Sequence, residues 1–191
     1  NLEIQPTVKP QTFAIDFLKD EKVVFSHPYT LKERKENSAA RQGFSTADVL
    51  YLITPDRFAN GDPSNDNHPD MREKSNRSFK GGRHGGDIAG IIKNLDYIKS
   101  TGFSAIWLNP VLENNQNEYS YHGYSITDFY KVDPRFGSND SYLDLVKNCH
   151  EKGLKVIMDM IVNHCGSFHW WMNDLPDTDW INFDNKFVNT T

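Results

Sequence analysis

The feature that most restricts this chain's fold is a repeated strand and helix joined by very unequal connections. Val49–Ile53 (VLYLI) is an unbroken apolar run, as expected of a strand covered on both faces of its sheet. Ile88, Ile91, Ile92, Leu95 and Ile98 then recur on one helical face. Asp87 is the predicted N-cap of that helix, and Gly102 its C-terminal stop. Phe103–Leu108 (FSAIWL) is a second apolar strand. Ser138–Lys152 is a second helix, with Tyr142, Leu145, Val146 and Cys149 on its apolar face and Gly153 closing it. Leu154–Met158 (LKVIM) is a third strand, reaching Asp159. Strand, helix, strand, helix, strand predicts a parallel α/β sheet.

The helices run almost at once into the next strand, whereas the strand-to-helix connections, 54–86 and 109–137, are long and polar. Connections of that length inside a compact domain usually carry function. Parallel sheets, open or closed, place their ligands at the carboxyl ends of the strands, where these connections lie. Three parallel strands cannot close an eight-stranded barrel. As an open sheet, they would be poorly covered by two helices. The chain therefore reads as part of a larger polypeptide.

Residues 1 to about 30 have a different character. Thr12–Leu18 alternates, with Phe13, Ile15 and Phe17 on one side; Lys19, Asp20 and Glu21 form a polar turn; Val23, Val24 and Phe25 begin the return. This predicts a β-hairpin with a loop of roughly three to five residues. A lone hairpin is marginal in water, so the segment is expected to belong to a sandwich or to an added sheet edge. Residues 31–45 read as a polar linker.

Charge narrows the function classes. The net charge is −5, from 21 basic and 26 acidic residues without a basic stripe, so no nucleic-acid surface is expected. No apolar run approaches the ~18 residues of a membrane span. The two cysteines, Cys149 and Cys165, have unlike flanks, which excludes a disulfide framework and makes Cys149 a buried free thiol. Aromatic residues, at 13%, fall in polar stretches more than a core requires, where a sugar-stacking surface would show.

Three stretches could carry chemistry. Asn60-Gly61-Asp62-Pro63-Ser64-Asn65-Asp66 gathers side-chain oxygens in a bent loop, as a hard cation such as calcium requires; ordinary turn chemistry is the plain alternative. Tyr121-His122-Gly123-Tyr124 could present two aromatic rings to a ligand, or plug its own loop. Asp159 ends a buried strand, where a carboxylate needs a partner. His164 follows in the loop, and the pair suits substrate binding or proton transfer. No G-x-S-x-G elbow exists to make them part of a nucleophile triad.

Taken together, these stretches resemble the alpha-amylase family of glycoside hydrolases, in its neopullulanase and cyclomaltodextrinase branch. The resemblance is carried by YLITPDRFANGDPSND (51–66), Gly85-Gly86-Asp87, AIWLNP (105–110), YHGY (121–124) with Asp128-Phe129-Tyr130, VDPRFG (132–137), DMIVNH (159–164) and HWWMND (169–174), in order over residues 41–185. It implies that residues 46–164 hold the first three strands of a TIM (β/α)8 barrel. Residues 1–45 would then be the end of an N-terminal β-sandwich domain with its linker, and 165–191 the start of a small domain inserted after the third strand. It implies calcium held by Asn60, Asp62, Asn65, Asp66, the Gly85 carbonyl and Asp87, with Asn163 matching a second calcium position of some relatives. Tyr124 resembles the tyrosine stacked on the sugar at the cleavage site, with His122 nearby; Asp159 and His164 resemble the first conserved region, whose histidine bonds that sugar.

The activity implied is retaining hydrolysis of α-1,4-glucosidic bonds in cyclodextrins, pullulan or starch oligosaccharides. The nucleophile Asp, the acid/base Glu and the stabilising Asp are expected on later strands, beyond Thr191. No acid of this chain matches these roles, so the chain alone is expected to be inactive. The full-length protein is expected to be periplasmic or secreted, with a cytoplasmic location as the alternative, and a homodimer possible. A non-catalytic calcium-stabilised sugar-binding module is the alternative. A complete doubly wound phosphate-binding protein ranks last, because no G-x-G-x-x-G or P-loop pattern occurs.

Overall fold

The computed structural model describes residues 3–5, 7–41, 43–182 and 186. They fall in two compact units, Asn1–Ser45 and Thr46–Thr191.

In the first unit, β1 (Gln11–Lys19) pairs antiparallel with β2 (Lys22–Leu31). The turn is tighter than the sequence suggests. Asp20 and Glu21 alone form it, both left-handed at φ 49 and 60. Two-residue turns of that hand match the twist of the strands they join. The register slips between Phe17 and Leu18, so that Phe17 faces Phe25, Leu18 faces Val23, and Val24 is the extra residue of a bulge. Pro28, opposite Ala14, cannot donate to a further strand on its own side. Among the described residues this unit holds one two-stranded sheet and no second layer. Phe17, Leu18, Val23, Val24 and Phe25 are all more than half exposed.

The second unit contains β3 (Leu50–Ile53), α1 (Pro55–Phe58), α2 (Ile88–Lys93), α3 (Leu95–Ser100), β4 (Ala105–Leu108), β5 (Leu112–Glu113), β6 (Asp128–Val132), α4 (Asn139–Glu151) and β7 (Lys155–Met158). Strands β3, β4 and β7 lie side by side in chain order and all run parallel. The long connections carry local structure the periodicity did not reveal: α1 in the first, and the antiparallel β5–β6 pair in the second.

The helix expected between Asp87 and Gly102 is two helices. Asn94 leaves helical geometry (φ −111, ψ 11), and its side-chain amide donates to the Gly90 carbonyl at 2.7 Å. Such back-bonding competes with the helix ladder. Asp87 caps α2 by accepting from Gly90 N–H. Ser138 and Ser141 form a reciprocal capping box at α4. Gly102 and Gly153 take the left-handed geometry of helix stops, at φ 92 and 67.

Ile88, Ile91, Leu95, Ile98, Ile106, Leu145 and Cys149 are fully buried in one core. Tyr51 and Ile53 of β3, Ile106 and Leu108 of β4, and Val156 of β7 point into it. The alternate set points away. Leu50 is 43% exposed, Leu52 54% and Trp107 38%. The period of two along a strand divides the side chains between faces, and among the described residues the helices cover one of them. Among the described residues no helix is long and apolar enough to cross a membrane. Cys149 and Cys165 are both free thiols.

Candidate functional site

Because β3, β4 and β7 are parallel, the segments that leave their carboxyl ends emerge on one side of the sheet. There the four residues singled out in the sequence come together. The Tyr124 hydroxyl donates to Asp159 Oδ2 at 3.0 Å, the partner that a carboxylate at a strand end requires. His164 Nε2 donates to the Tyr124 carbonyl at 2.9 Å. The Tyr124 backbone N–H donates to His122 Nδ1 at 2.9 Å, and the two rings stack with centroids 5.7 Å apart.

Gly123 makes this packing possible. It is left-handed (φ 83), and a Cβ there would lie 2.1 Å from the Pro110 carbonyl oxygen. With Nδ1 accepting, His122 is the neutral tautomer that carries its proton on Nε2. Burial pushes its pKa down, partly offset by the charge of Glu73. Burial also pushes the Tyr124 hydroxyl up, aided by the bond to Asp159 and its charge, so Tyr124 stays a donor at neutral pH. The cluster offers a half-exposed ring face, a hydroxyl, two imidazoles and a carboxylate. Such a set can hold a polyhydroxylated ring by stacking and hydrogen bonds.

The first long connection folds around Asp87, which is fully buried. Its Oδ1 accepts from Gly61 N–H (2.9 Å) and Gly90 N–H (2.6 Å), and its Oδ2 from Asp62 N–H (2.8 Å) and Asn65 Nδ2 (3.1 Å). Asp87 thus clamps the 60–66 loop to the start of α2. Asn60 Nδ2 donates to Asp66 Oδ1 at 2.7 Å. Asp62 accepts from the Ser64 hydroxyl and amide, which hold its pKa down. Gly85 (φ 87) lies beside this group; a Cβ there would fall 2.4 Å from Asp66 Oδ1. Asn60 Oδ1 and Asn65 Oδ1 are buried without a hydrogen-bond partner. Among the described residues no three His, Cys, Asp or Glu side chains gather for a metal; this loop instead combines amide oxygens with carboxylates.

A network not read from the sequence joins the two long connections. Asp133 and Arg135 are fully buried. Asp133 accepts Arg135 Nε at 2.9 Å and Nη2 at 2.7 Å. Arg135 also donates to the Glu73 and Asn114 carbonyls, both at 2.9 Å. Arg83, 1% exposed, lies over the Phe136 ring at 4.5 Å and reaches Ser120. Glu73 accepts the Ser120 amide at 2.7 Å, which holds the turn leading into Tyr121 and His122. Burial alone would raise the Asp133 carboxyl; the Arg135 bonds and the Arg83 charge overcome it and hold it below the usual range. The one sequence signal is the pair of opposite charges two residues apart, Asp133 and Arg135, within VDPRFG.

Parallel strands in chain order place these long connections, and the Tyr124 cluster among them, at one end of an α/β sheet, where parallel folds hold their ligands. The family described as "Alpha amylase, catalytic domain" matches residues 52–186, and the chain belongs to it. A beta/alpha-amylase of Paenibacillus polymyxa is 50% identical over 119 residues, covering 62% of this chain and 10% of that protein. A cyclomaltodextrinase of Thermoanaerobacter pseudethanolicus is 41% identical over 118 residues, covering 62% and 20%. The crystal structure of an Anoxybacillus alpha-amylase aligns with a TM-score of 0.60 and 43% identity, covering 73% of this chain and 30% of that one. The fold is therefore the TIM-barrel glycosidase fold. The chain spans a fifth or less of the length of the two curated relatives.

Proposed function

We propose that this chain is the substrate-orienting part of a retaining α-glucan hydrolase acting on α-1,4-glucosidic bonds in cyclodextrins, pullulan or starch oligosaccharides. The observation that carries it is the convergence of Tyr124, His122, Asp159 and His164 at the strand ends. The Tyr124 ring stacks on the sugar at the cleavage site. His164, His122 and Asp159 take its hydroxyls. A retaining mechanism needs a nucleophile and an acid about 5–5.5 Å apart, and those two carboxyl groups belong to the rest of the polypeptide. Orientation alone leaves most of the barrier standing, so residues 1–191 alone do not turn over glucan. The hairpin unit is the end of an N-terminal β-sandwich, and the enzyme works outside the cytoplasm.

Calcium belongs to this reading. The loop suits a hard cation, because Asn60 and Asn65 each hold a buried amide oxygen without a partner, beside Asp66 and Gly85. Asn60, Asp62, Asn65, Asp66 and the Gly85 carbonyl would hold the ion. Asp87, its oxygens taken by four N–H donors, would act mainly by shaping the loop. The bound ion would supply rigidity between the loop and α2.

A reducing-end assay on pullulan, cyclodextrin and maltooligosaccharides tests the activity, with the full-length protein beside residues 1–191. Turnover by the full-length protein alone is expected. Binding of glucan without turnover by the full-length protein would favour the sugar-binding module instead.

A further inference from the structure

The 60–66 loop holds the chain's sole Asn-Gly pair, Asn60-Gly61. An asparagine before glycine is chemically reactive, because no side chain on the following residue keeps its backbone nitrogen away from the asparagine side-chain carbon. We propose that Asn60 is a self-modification site: a deamidation point that the folded loop holds closed, and that alters the loop for good once it reacts. In the reaction the Gly61 nitrogen bonds to the Asn60 side-chain carbonyl carbon. The bond from that carbon to Nδ2 breaks, and Nδ2 leaves as ammonia, taking the proton from the Gly61 nitrogen. Water then opens the cyclic imide and returns a proton to that nitrogen. Attack at the side-chain carbonyl leaves aspartate. Attack at the backbone carbonyl leaves isoaspartate, with the chain now running through the former side chain.

The closed loop denies each reacting atom its freedom. The Gly61 N–H donates to Asp87 Oδ1 at 2.9 Å, and the Gly61 carbonyl accepts from Lys93 Nζ at 2.5 Å. The Asn60 amide is pinned as well: Nδ2 donates to Asp66 Oδ1 at 2.7 Å, and Oδ1 is buried. The Gly61 nitrogen can attack only after its N–H leaves Asp87. The Asn60 side chain can turn toward it only after Nδ2 leaves Asp66. Reaction therefore requires a local opening of the loop. Nor does the packing admit a slower neighbour for Asn60, since a Cβ at Gly61 would lie 2.2 Å from the Gly90 backbone nitrogen. The close approach that seats the loop on α2 keeps the reactive pair in place.

The products do not fit the closed loop. Aspartate at position 60 turns a donor into an acceptor and sets a carboxylate against Asp66, where Nδ2 now lies at 2.7 Å. Like charges that close repel. Isoaspartate lengthens the path into Gly61, which has no spare room beside Gly90. Either product favours the open loop, and neither reverts to asparagine by itself. Asn37-Ser38 in the first unit is the built-in comparison. Asn37 is exposed, and its side chain makes no capping bond.

The test follows the peptide bearing residue 60 by mass spectrometry while the full-length protein stands in warm, mildly alkaline buffer. It scores the exchange of NH2 for OH and the isoaspartyl share. In denaturant Asn60 should react faster than Asn37, because glycine follows it rather than serine. In the folded protein Asn60 should react roughly a hundredfold more slowly than in denaturant. Asp66→Ala frees the Asn60 amide and should speed its reaction about tenfold, as loss of one hydrogen bond to a charged group would, with Asn37 unchanged. Asp66→Asn keeps a neutral acceptor and should fall between, so a failure of Asp66→Ala to fold leaves the test in force. Asn60→Asp reproduces one product and should lower the melting temperature. Equal rates in the folded and unfolded wild type, or no acceleration in a folded Asp66 variant, would overturn the lock. An Asn60→Asp protein as stable as the wild type would overturn the lasting effect on the loop.

Discussion

Two groups of charged and polar residues lie a short way apart between the same loops, and they are built on opposite terms. In the framework, Asp133 and Arg135 are wholly buried, and both oxygens of the carboxylate meet the guanidinium. Arg135 also donates through Nη1 to the Glu73 carbonyl and through Nη2 to the Asn114 carbonyl. At the site, Tyr124 is 36% exposed, and the hydroxyl-to-Asp159 and carbonyl-to-His164 contacts are single, partly solvated bonds. A buried, bidentate ion pair can lose no partner without stranding a charge. A half-open group with single bonds can exchange them for those of a ligand. On the proposed reading of the site, stability and binding are separated in space, although Glu73 links the two groups through the Ser120 amide next to Tyr121 and His122.

Breaking the framework should give the largest stability change. Arg135→Ala strands Asp133 in the interior and should cost about 3–5 kcal/mol by denaturant unfolding of the intact enzyme. An effect below ~1 kcal/mol would mean that the burial is not what holds the loops. The framework also sets the acid limit. The folded pKa of Asp133 is depressed, so its contribution is present above the unfolded carboxylate value of about 3.9 and is lost as pH falls through the lower, folded value. Asp133→Asn should flatten that acid limb. An unchanged slope in a pH series of melts would exclude Asp133 as the group responsible.

Between the two extremes lies the 60–66 loop. Chelation should lower the stability of the calcium-loaded enzyme by about 2.7 kcal/mol if the ion stands at a hundred times its Kd. Asn65→Ala should abolish that dependence while keeping the Asp87 cap to Gly90. A melting temperature indifferent to both chelator and added calcium would remove the ion from the reading.

The framework and the site differ also in how far the sequence disclosed them. The strands and helix faces were legible because apolar spacing and the glycine stops at 102 and 153 repeat a physical period. The break at Asn94 was not, since it depends on one side chain bonding Gly90 instead of water. Nor could an unbroken apolar run tell which alternate residues meet the helices. Tyr124 and Asp159 lie far apart in sequence, and topology brings them together. Their placement at strand ends, with the family resemblance, marked them out. Arg83, Glu73 and Asn114 carry no spacing signal, because their partners belong to other segments.

The smallest stability effect, and the sharpest test of the comparison, belongs to Tyr124. Its hydroxyl makes one partly solvated bond, to Asp159, so Tyr124→Phe should change stability by no more than ~1 kcal/mol. If the site is a place where bonds are exchanged with ligand, the same variant should still lose roughly fivefold in kcat/KM on maltooligosaccharides, as Asp159 is left without its orienting donor. Tyr124→Ala removes the ring as well and should lose roughly ten- to hundredfold, again with a small change in stability. The two variants divide the site into its hydrogen-bonding and stacking parts. Equal losses in both would assign the whole role to the hydroxyl. A stability loss in Tyr124→Phe matching that of Arg135→Ala would show that the Tyr124–Asp159 bond belongs to the framework, and the separation of the two groups would fall.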